Sequence, residues 1–333
     1  MKDSAKQIRE AYRRLNESYH PILVFHIGDS AGFFSEYNGM ILAMLYCLKH
    51  HIQFRLYSKD ANFRYKNGWS DFFESFCIEE ESKWYHWINM RPIGSWSSIL
   101  KSKNVNLIKC KIKKSLCNCL AKLYKLLHPN VILTQDIWKD IYSNEQGQCT
   151  YNIPELSING SIIDACKVLV EITWNFRRDV QKDMQSFIDR VNITNPYIGC
   201  QIRTGDKYIE YDLLPIERYI EPFEVIKDID NIFVLTDDYL IIERLKKNYQ
   251  RWHWHTLCEE TECGYIHAAF KDYSAESKRR QLLKFFASIE IIHGSDLCFA
   301  TITSNPSLFF AYRDPEKTRF VDFNRDVFSF MLS

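Results

Sequence analysis

Ile22-Leu23-Val24-Phe25 is an unbroken apolar run that empties into His26-Ile27-Gly28-Asp29-Ser30-Ala31-Gly32, and an apolar stretch at helical spacing follows over residues 36–50. Four consecutive apolar residues bounded by a glycine-bearing turn read as a strand covered on both faces. The turn into a helix makes the segment a β-loop-α unit. The same grammar recurs along the chain. Strand-like segments lie at 53–57, 130–134, 197–203, 231–236, 252–257, 297–301 and 319–323, with helical patterns between many of them. Such alternation predicts an α/β fold built on largely parallel sheets.

The chain has 333 residues, which at about 150 residues per domain points to two domains. A long helical pattern over 166–191, with Leu169, Ile172, Phe176, Val180, Met184 and Phe187 at three- to four-residue spacing, is broken by Asn192 through Pro196. This predicts an amino-terminal α/β domain over 1–190 and a carboxyl-terminal Rossmann-like domain over 191–333. Hydrophobic residues make up 46% and charged residues 26%, which suits a globular chain and excludes a disordered one. With 43 Lys and Arg against 42 Asp and Glu, the net charge is +1, so no global field draws nucleic acid, and no nucleic-acid partner is expected. No run of about 18 apolar residues occurs, so no transmembrane segment is expected. The first 20 residues carry Lys2, Asp3, Lys6, Arg9, Glu10, Arg13, Arg14 and Glu17 in place of a signal-peptide core. The 11 cysteines are odd in number and irregularly spaced, as in a reduced, cytoplasmic protein.

Ligands of open α/β sheets bind beyond the carboxyl ends of the strands, so the loops after Phe25, Ile202, Leu235 and Thr301 are where chemistry is sought. Gly199-Cys-Gln-Ile-Arg203-Thr-Gly-Asp206-Lys207 leaves a strand through glycine and gathers a guanidinium, a carboxylate and an ammonium at its mouth. Arginine offers a bidentate fork to phosphate and lysine a point charge, although a solvated charged turn would look the same. Asn231 through Leu235 empties into Thr236-Asp237-Asp238 before a helical pattern, a common N-cap arrangement. Ser295 through Pro306 places Thr301, Thr303, Ser304 and Asn305 between a strand end and a helix start, where backbone N–H groups and the helix dipole suit a diphosphate and where capping alone would also explain Ser304. The Gly-x-Gly-x-x-Gly, Walker and Gly-x-Ser-x-Gly motifs are all missing, which argues against dehydrogenases, P-loop NTPases and serine hydrolases.

In order along the chain, these segments resemble the α1,6-fucosyltransferases, the family of the animal N-glycan core enzyme and the rhizobial Nod-factor enzyme. Gln201-Ile-Arg-Thr-Gly-Asp-Lys207, Glu210 and Pro215-Ile-Glu-Arg-Tyr219 are similar to the family's His-x-Arg-Arg-Thr-Asp-Lys stretch, its downstream Glu and its Pro-Ile-Glu-x-Tyr. Phe233 through Asp238 resembles the second motif and Asp296 through Asn305 the third. Upstream, Gly32-Phe-Phe-Ser-Glu36, Phe63-Arg-Tyr65, Gly68-Trp69, Phe72 and Asn130 through Trp138 resemble the amino-terminal segments. The resemblance covers roughly 22–315, and in lacking a membrane anchor, a coiled coil and an SH3 domain the chain is closer to the bacterial form.

The resemblance implies a GT-B fold, with two Rossmann-like domains facing a cleft and acceptor on the amino-terminal side. It implies inverting transfer of fucose from GDP-fucose to a glycan or oligosaccharide acceptor, with no metal and no cofactor beyond the nucleotide-sugar substrate. Under it, Arg203 binds the diphosphate, Asp206 orients the loop, Lys207 offsets charge near the reacting centre and Glu210 is the acceptor base. Thr303, Ser304 and Asn305 face the phosphates, Asp237 and Asp238 shape the nucleotide pocket, Gln201 stands in the place of the motif's histidine, and Tyr65 contacts donor from the opposite domain.

The sequence departs from the family at several points. Thr204 replaces the second arginine, Ser288 falls where a nucleotide-binding acid is expected, with Glu290 as its substitute, and one residue is lost between Lys207 and Glu210, which makes Asp212 a rival base. A different nucleotide-sugar donor and a catalytically silent nucleotide- or carbohydrate-binding protein are therefore the alternatives. His253 and His255 share a strand face near Cys258 and Cys263, but without close ligand pairs no metal site is expected. From Lys101 to Gln135 there are eight lysines and no acid, with Leu116, Leu120, Leu123 and Leu127 at helical spacing. That segment reads first as a surface helix and second as a peripheral contact with the inner face of a membrane that carries the acceptor.

Overall fold

The structure is a computed structural model describing residues 2–28, 31–91, 105–205 and 213–322. The chain divides into two compact units, the first ending at Asn175 and the second beginning at Phe176.

The first unit opens with helix α1 (Lys2–Glu17), strand β1 (Ile22–His26), helix α2 (Phe33–His50) and strand β2 (Gln53–Tyr57). Strand β3 (Ile78–Glu79), helix α3 (Trp84–Ile88), helix α4 (Val105–Leu127) and strand β4 (Val131–Leu133) follow. The unit closes with a small antiparallel pair, β5 (Tyr151–Ile153) and β6 (Ile158–Gly160), and helix α5 (Ile162–Thr173). Its main sheet is parallel, in the order β3-β2-β1-β4. The apolar run that opens the reading is buried on both faces, with Leu23, Val24 and Phe25 fully inaccessible. Helix α2 is buried along most of its length, and its first turn enters an aromatic cluster in which Phe33, Tyr37, Phe73 and Trp174 lie within 6.0 Å of one another, ring centre to neighbouring ring centre. Where β3 stops covering β2, the Asn16 side chain takes over, accepting from Phe54 N–H at 2.7 Å and donating to its carbonyl at 2.9 Å, so the strand keeps no orphaned amide.

The expected single helix over 166–191 is two helices. Trp174 leaves helical geometry, and the Asn175 amide donates to the carbonyls of Glu171 at 2.6 Å and Ile172 at 3.1 Å, ending α5. Helix α6 (Arg178–Val191) belongs to the second unit, where the Phe176 ring packs tilted against Phe286, centres 5.4 Å apart, and Asp183 pairs with Arg279 at 2.7 Å. The division therefore falls at 175/176 instead of 190/191.

The second unit continues with β7 (Tyr197–Ile202), α7 (Glu217–Glu224), β8 (Asn231–Thr236), α8 (Tyr239–Asn248), β9 (His253–His255), α9 (Ala275–His293), β10 (Leu297–Ala300), α10 (Asn305–Arg313) and β11 (Thr318–Phe320). Its sheet is parallel throughout, in the order β11-β10-β7-β8-β9. Ile198, Cys200 and Ile202 pack with Tyr219, Phe223, Ile242 and Leu245 of α7 and α8 on one face. On the other face Tyr197 donates to the carbonyl of Ile291 at 2.6 Å, and Gly199 sits where a Cβ would press on Ile292 of α9 at 3.2 Å. Each unit is thus a parallel sheet with helices on both faces, the Rossmann-like arrangement the alternation predicts.

Candidate functional site

In the second unit the chain runs from β7 out to β9 and then returns to place β10 on the other side of β7. The strand order reverses between β7 and β10, and a crevice at the carboxyl ends of a parallel sheet opens at such a point. Gln201, Arg203 and the start of α10 all lie there.

Gln201 is buried at the end of β7. Its amide donates to Ser304 Oγ at 3.2 Å and accepts from Ser307 Oγ at 2.9 Å, tying the strand to the first turn of α10. Ser304 is the N-cap residue of α10 by position, yet its hydroxyl makes no cap bond to the helix. Thr303 is half-buried in the turn before it, and Asn305 and Pro306 begin the helix. The neighbouring Ile302 N–H donates to Asp322 beyond β11 at 2.9 Å, while burial pushes the Asp322 carboxyl up from its usual range despite that bond.

The register of β7 against β8 pairs Ile202 with Thr236, so the next residue of each strand, Arg203 and Asp237, emerges side by side. Asp237 gathers three segments. Its Oδ1 accepts from the Thr204 N–H at 2.9 Å and the Thr204 hydroxyl at 3.1 Å; its Oδ2 accepts from Tyr265 N–H at 2.8 Å and forms an ion pair with the Arg203 guanidinium. The Asp237 carbonyl accepts from Gly264 N–H at 2.7 Å. Arg203 lies over the Tyr265 ring, 5.0 Å from its centre, so a planar cation is held between a carboxylate and an aromatic face. This close approach requires glycine. Gly205 has φ +50°, and a Cβ there would meet the Tyr265 carbonyl and Asp237 Oδ2; Gly264, at φ +101°, would put its Cβ 2.8 Å from the Gly205 Cα. Asp238 is the N-cap of α8, its Oδ1 accepting from Leu240 N–H at 3.0 Å.

Gln201, Arg203, Asp237, Asp238, Thr303, Ser304 and Asn305 are therefore brought to one edge of one sheet. Gln201 and Asp237 act there as fasteners of the Ser304 and Arg203 segments. Asp206, Lys207, Glu210 and Asp212 lie outside the described residues. Ser288 is buried on α9 and donates to the carbonyl of Lys284 at 3.0 Å, and Glu290 holds Arg313 through two bonds of 2.6 and 3.1 Å. His255 faces Asn231 Oδ1 at 3.2 Å, while His253 is exposed.

Tyr65 belongs to the first unit, in a loop whose backbone is folded around one carboxylate. Asp71 accepts from the N–H groups of Tyr65, Lys66, Asn67 and Gly68 at 2.7–3.0 Å. The first unit also reverses strand order, between β1 and β4, and polar residues missed in the sequence gather there. His26 N–H donates to Thr134 Oγ1 at 2.7 Å, and Asp60 lies 3.0 Å from His26 Nε2 and 2.9 Å from His86 Nδ1. Burial opposes ionisation of Asp60, but the two histidines outweigh it and hold its carboxyl below the ordinary range. Glu36, fully buried in the first turn of α2, pairs with Arg91 at 2.9 Å, and Arg91 lies over Trp138. The signal for Glu36 was its place at the end of the Gly32-Phe-Phe-Ser-Glu36 segment that resembles the family, which gave it no role, and Tyr265 had none beyond the preceding glycine.

No protein-family model matches the chain, and no curated protein matches it in sequence. Solved structures match it in fold. NodZ alpha-1,6-fucosyltransferase soaked with GDP-fucose aligns over 92% of this chain and 95% of its own, with a TM-score of 0.52 and 10% identity. NodZ co-crystallized with GDP aligns over 92% and 96%, with a TM-score of 0.51 and 10% identity. The selenomethionine form of fucosyltransferase NodZ from Bradyrhizobium gives 92% and 96%, 0.51 and 9%. The likeness extends across both units, and at this identity it is one of architecture: the chain has the two-unit parallel α/β fold of the GT-B fucosyltransferases.

Proposed function

We propose that this protein is an inverting glycosyltransferase that moves L-fucose from GDP-fucose to a hydroxyl of a glycan acceptor. The observation that carries the reading is the pair of fastenings at the β7–β10 reversal. Gln201 fixes the start of α10 and Asp237 fixes Arg203, so a helix N-terminus and a guanidinium are held at one strand edge before any ligand arrives. The shared architecture with a fucosyltransferase soaked with GDP-fucose supports the choice of donor.

In this mechanism the acceptor oxygen attacks the anomeric carbon as the bond from that carbon to the diphosphate oxygen breaks, with one inversion. Glu210 receives the hydroxyl proton. GDP departs with growing negative charge, which Arg203, Lys207 and the N–H groups at the start of α10, flanked by Thr303, Ser304 and Asn305, stabilise. Asp206 orients the loop that carries Lys207, and Asp238 shapes the nucleotide side by anchoring α8. Side-chain cations fill the place of a divalent metal, and no cofactor takes part.

A second donor base is favoured by one observation. Ser288 offers no carboxylate and Glu290 is already bound twice by Arg313, so neither presents an acid to guanine. Titration calorimetry with GDP, UDP and CMP separates the readings. GDP binding at least about tenfold tighter than the others is expected, and UDP or CMP outcompeting it overturns the fucose assignment while leaving glycosyl transfer in place. Loss of turnover in chelator, restored by manganese, overturns the metal-free mechanism.

A further inference from the structure

We infer that α4 and the neighbouring α3 form a docking surface for an anionic lipid bilayer, with the helix lying in the plane of the headgroups. This inference stands apart from the glycosyl-transfer reading and is tested without donor or acceptor.

Helix α4 has two stripes, and the less apolar one faces the protein. Lys114, Cys117 and Ala121 are buried, Ala121 against Val24, Tyr57, Tyr85 and Leu133. Leu116, Leu120, Leu123 and Leu127, which recur at spacings of four, three and four residues, are 64%, 44%, 59% and 74% exposed. Four leucines in water on one face of one helix form an apolar strip that ordinary surface statistics do not explain. Helix α3 adds Trp84 and Trp87, 63% and 44% exposed, and joins α4 through the Tyr85–Tyr124 hydroxyl contact of 3.2 Å and the Lys113 ammonium 5.1 Å from the Trp87 ring centre.

Charge decides what covers the strip. Helix α4 carries six lysines and no acid among its 23 residues. Lys114 is buried and Lys125 pairs with Asp136 at 2.9 Å, while Lys109, Lys113 and Lys122 are exposed, Lys109 and Lys113 seven and three residues before Leu116 and so on the leucine side. A second copy of the same face would set lysines against lysines, whereas an anionic bilayer offers acyl chains to the leucines and headgroup charge to the lysines. Exposed tryptophans beside such a strip suit the level of the headgroups. The helix would lie on the membrane and not cross it, since no helix among the described residues is long and apolar enough to span.

The test is sedimentation of the full chain with vesicles of phosphatidylcholine alone or mixed with phosphatidylserine, at low and high salt. Binding to the mixed vesicles should exceed binding to phosphatidylcholine by at least about tenfold and weaken as salt rises. Leu116→Gln combined with Leu120→Gln should cut partitioning at least about tenfold, since both side chains lose acyl contact. Lys109→Gln with Lys113→Gln should cut it about as much, at roughly fivefold per lysine. Both pairs lie on the surface, so melting temperatures should stay near wild type. Equal binding to both vesicle types, or no binding to either, overturns the inference. So does a leucine pair that binds like wild type, which would leave only a basic patch for an acidic partner. A wild-type dimer that dissociates in the leucine pair and ignores vesicles assigns the face to self-association instead.

Discussion

Asp237→Ala removes the acceptor on which two other chain segments, Arg203–Thr204 and the Tyr265 turn, converge. Its two oxygens take the amide and hydroxyl of Thr204, the amide of Tyr265 and the Arg203 guanidinium. The Arg203 and Asp237 side chains are 19% and 16% exposed, so solvent screens the pair only in part. A hydrogen bond to a charged group contributes about 1.5–3 kcal/mol, and depriving a partly buried guanidinium of its carboxylate costs more than breaking a surface pair. Because these bonds share one carboxylate they do not add, and the expected loss is about 3 kcal/mol. At about 2–4 °C per kcal/mol for a domain of this size, the second unit should melt roughly 6–12 °C lower. Asp237→Asn should lose nearly as much, since it keeps one acceptor oxygen and turns an NH2 group toward donors. Calorimetric melting of both variants, of Arg203→Ala and of the double variant yields the coupling, expected at about 1–3 kcal/mol. A coupling of zero, or an Asn variant that melts with wild type, would refute the clamp.

Gly205→Ala should destabilise the second unit by about 1–3 kcal/mol and weaken GDP binding with it, because alanine must hold φ +50° and press on Asp237 Oδ2 at 2.6 Å; unchanged melting and affinity would sink the close-approach argument. Asp60 has a folded-state pKa below its ordinary value, so its contribution to stability is present above the unfolded value and lost as pH falls through the folded one. The stability gap between wild type and Asp60→Asn should therefore close as pH drops through about 4 and below, and a gap that widens in acid contradicts the assignment. Glu210→Gln should lower turnover by roughly 10²–10⁴-fold with GDP affinity unchanged; near-normal turnover there, with Asp212→Asn inactive, hands the role to Asp212.

The parallel strands were legible because a strand covered on both faces must be apolar at nearly every position. Tyr197–Ile202 is buried throughout, and the apolar run Ile232–Leu235 lies inside the strand Asn231–Thr236, one residue short of each end. The break between α5 and α6 was not legible, since Leu169, Ile172, Phe176 and Val180 keep helical spacing straight through it. What stops α5 is the Asn175 amide folding back on Glu171 and Ile172. The site was legible in kind and not in arrangement. Arg203, Asp237 and Ser304 could each be picked out as polar residues at strand ends. Their partnerships depend on the Ile202–Thr236 register and on Tyr265, 28 residues beyond Asp237, neither of which a local pattern encodes.

Helix α4 carries the same lesson to the surface. Its leucine spacing announces an apolar stripe, and the ordinary rule turns such a stripe inward. Packing reverses the rule here because the inward position is set by room and not by hydrophobicity alone. Tyr85 and Tyr57 already fill the space over the sheet, and Ala121 is small enough to pack with them where leucine would overpack. Tyr124, on the same side as Ala121, then reaches the Tyr85 hydroxyl. The leucines are left outward, with Lys109 and Lys113 on the same side of a helix that carries no acid of its own, and periodicity cannot tell a stripe that builds a core from one that awaits a surface. The distinction lies in which stripe fits the aromatic floor, and that makes the leucine pair, silent in melting and decisive on vesicles, the substitution that separates the two roles of this helix.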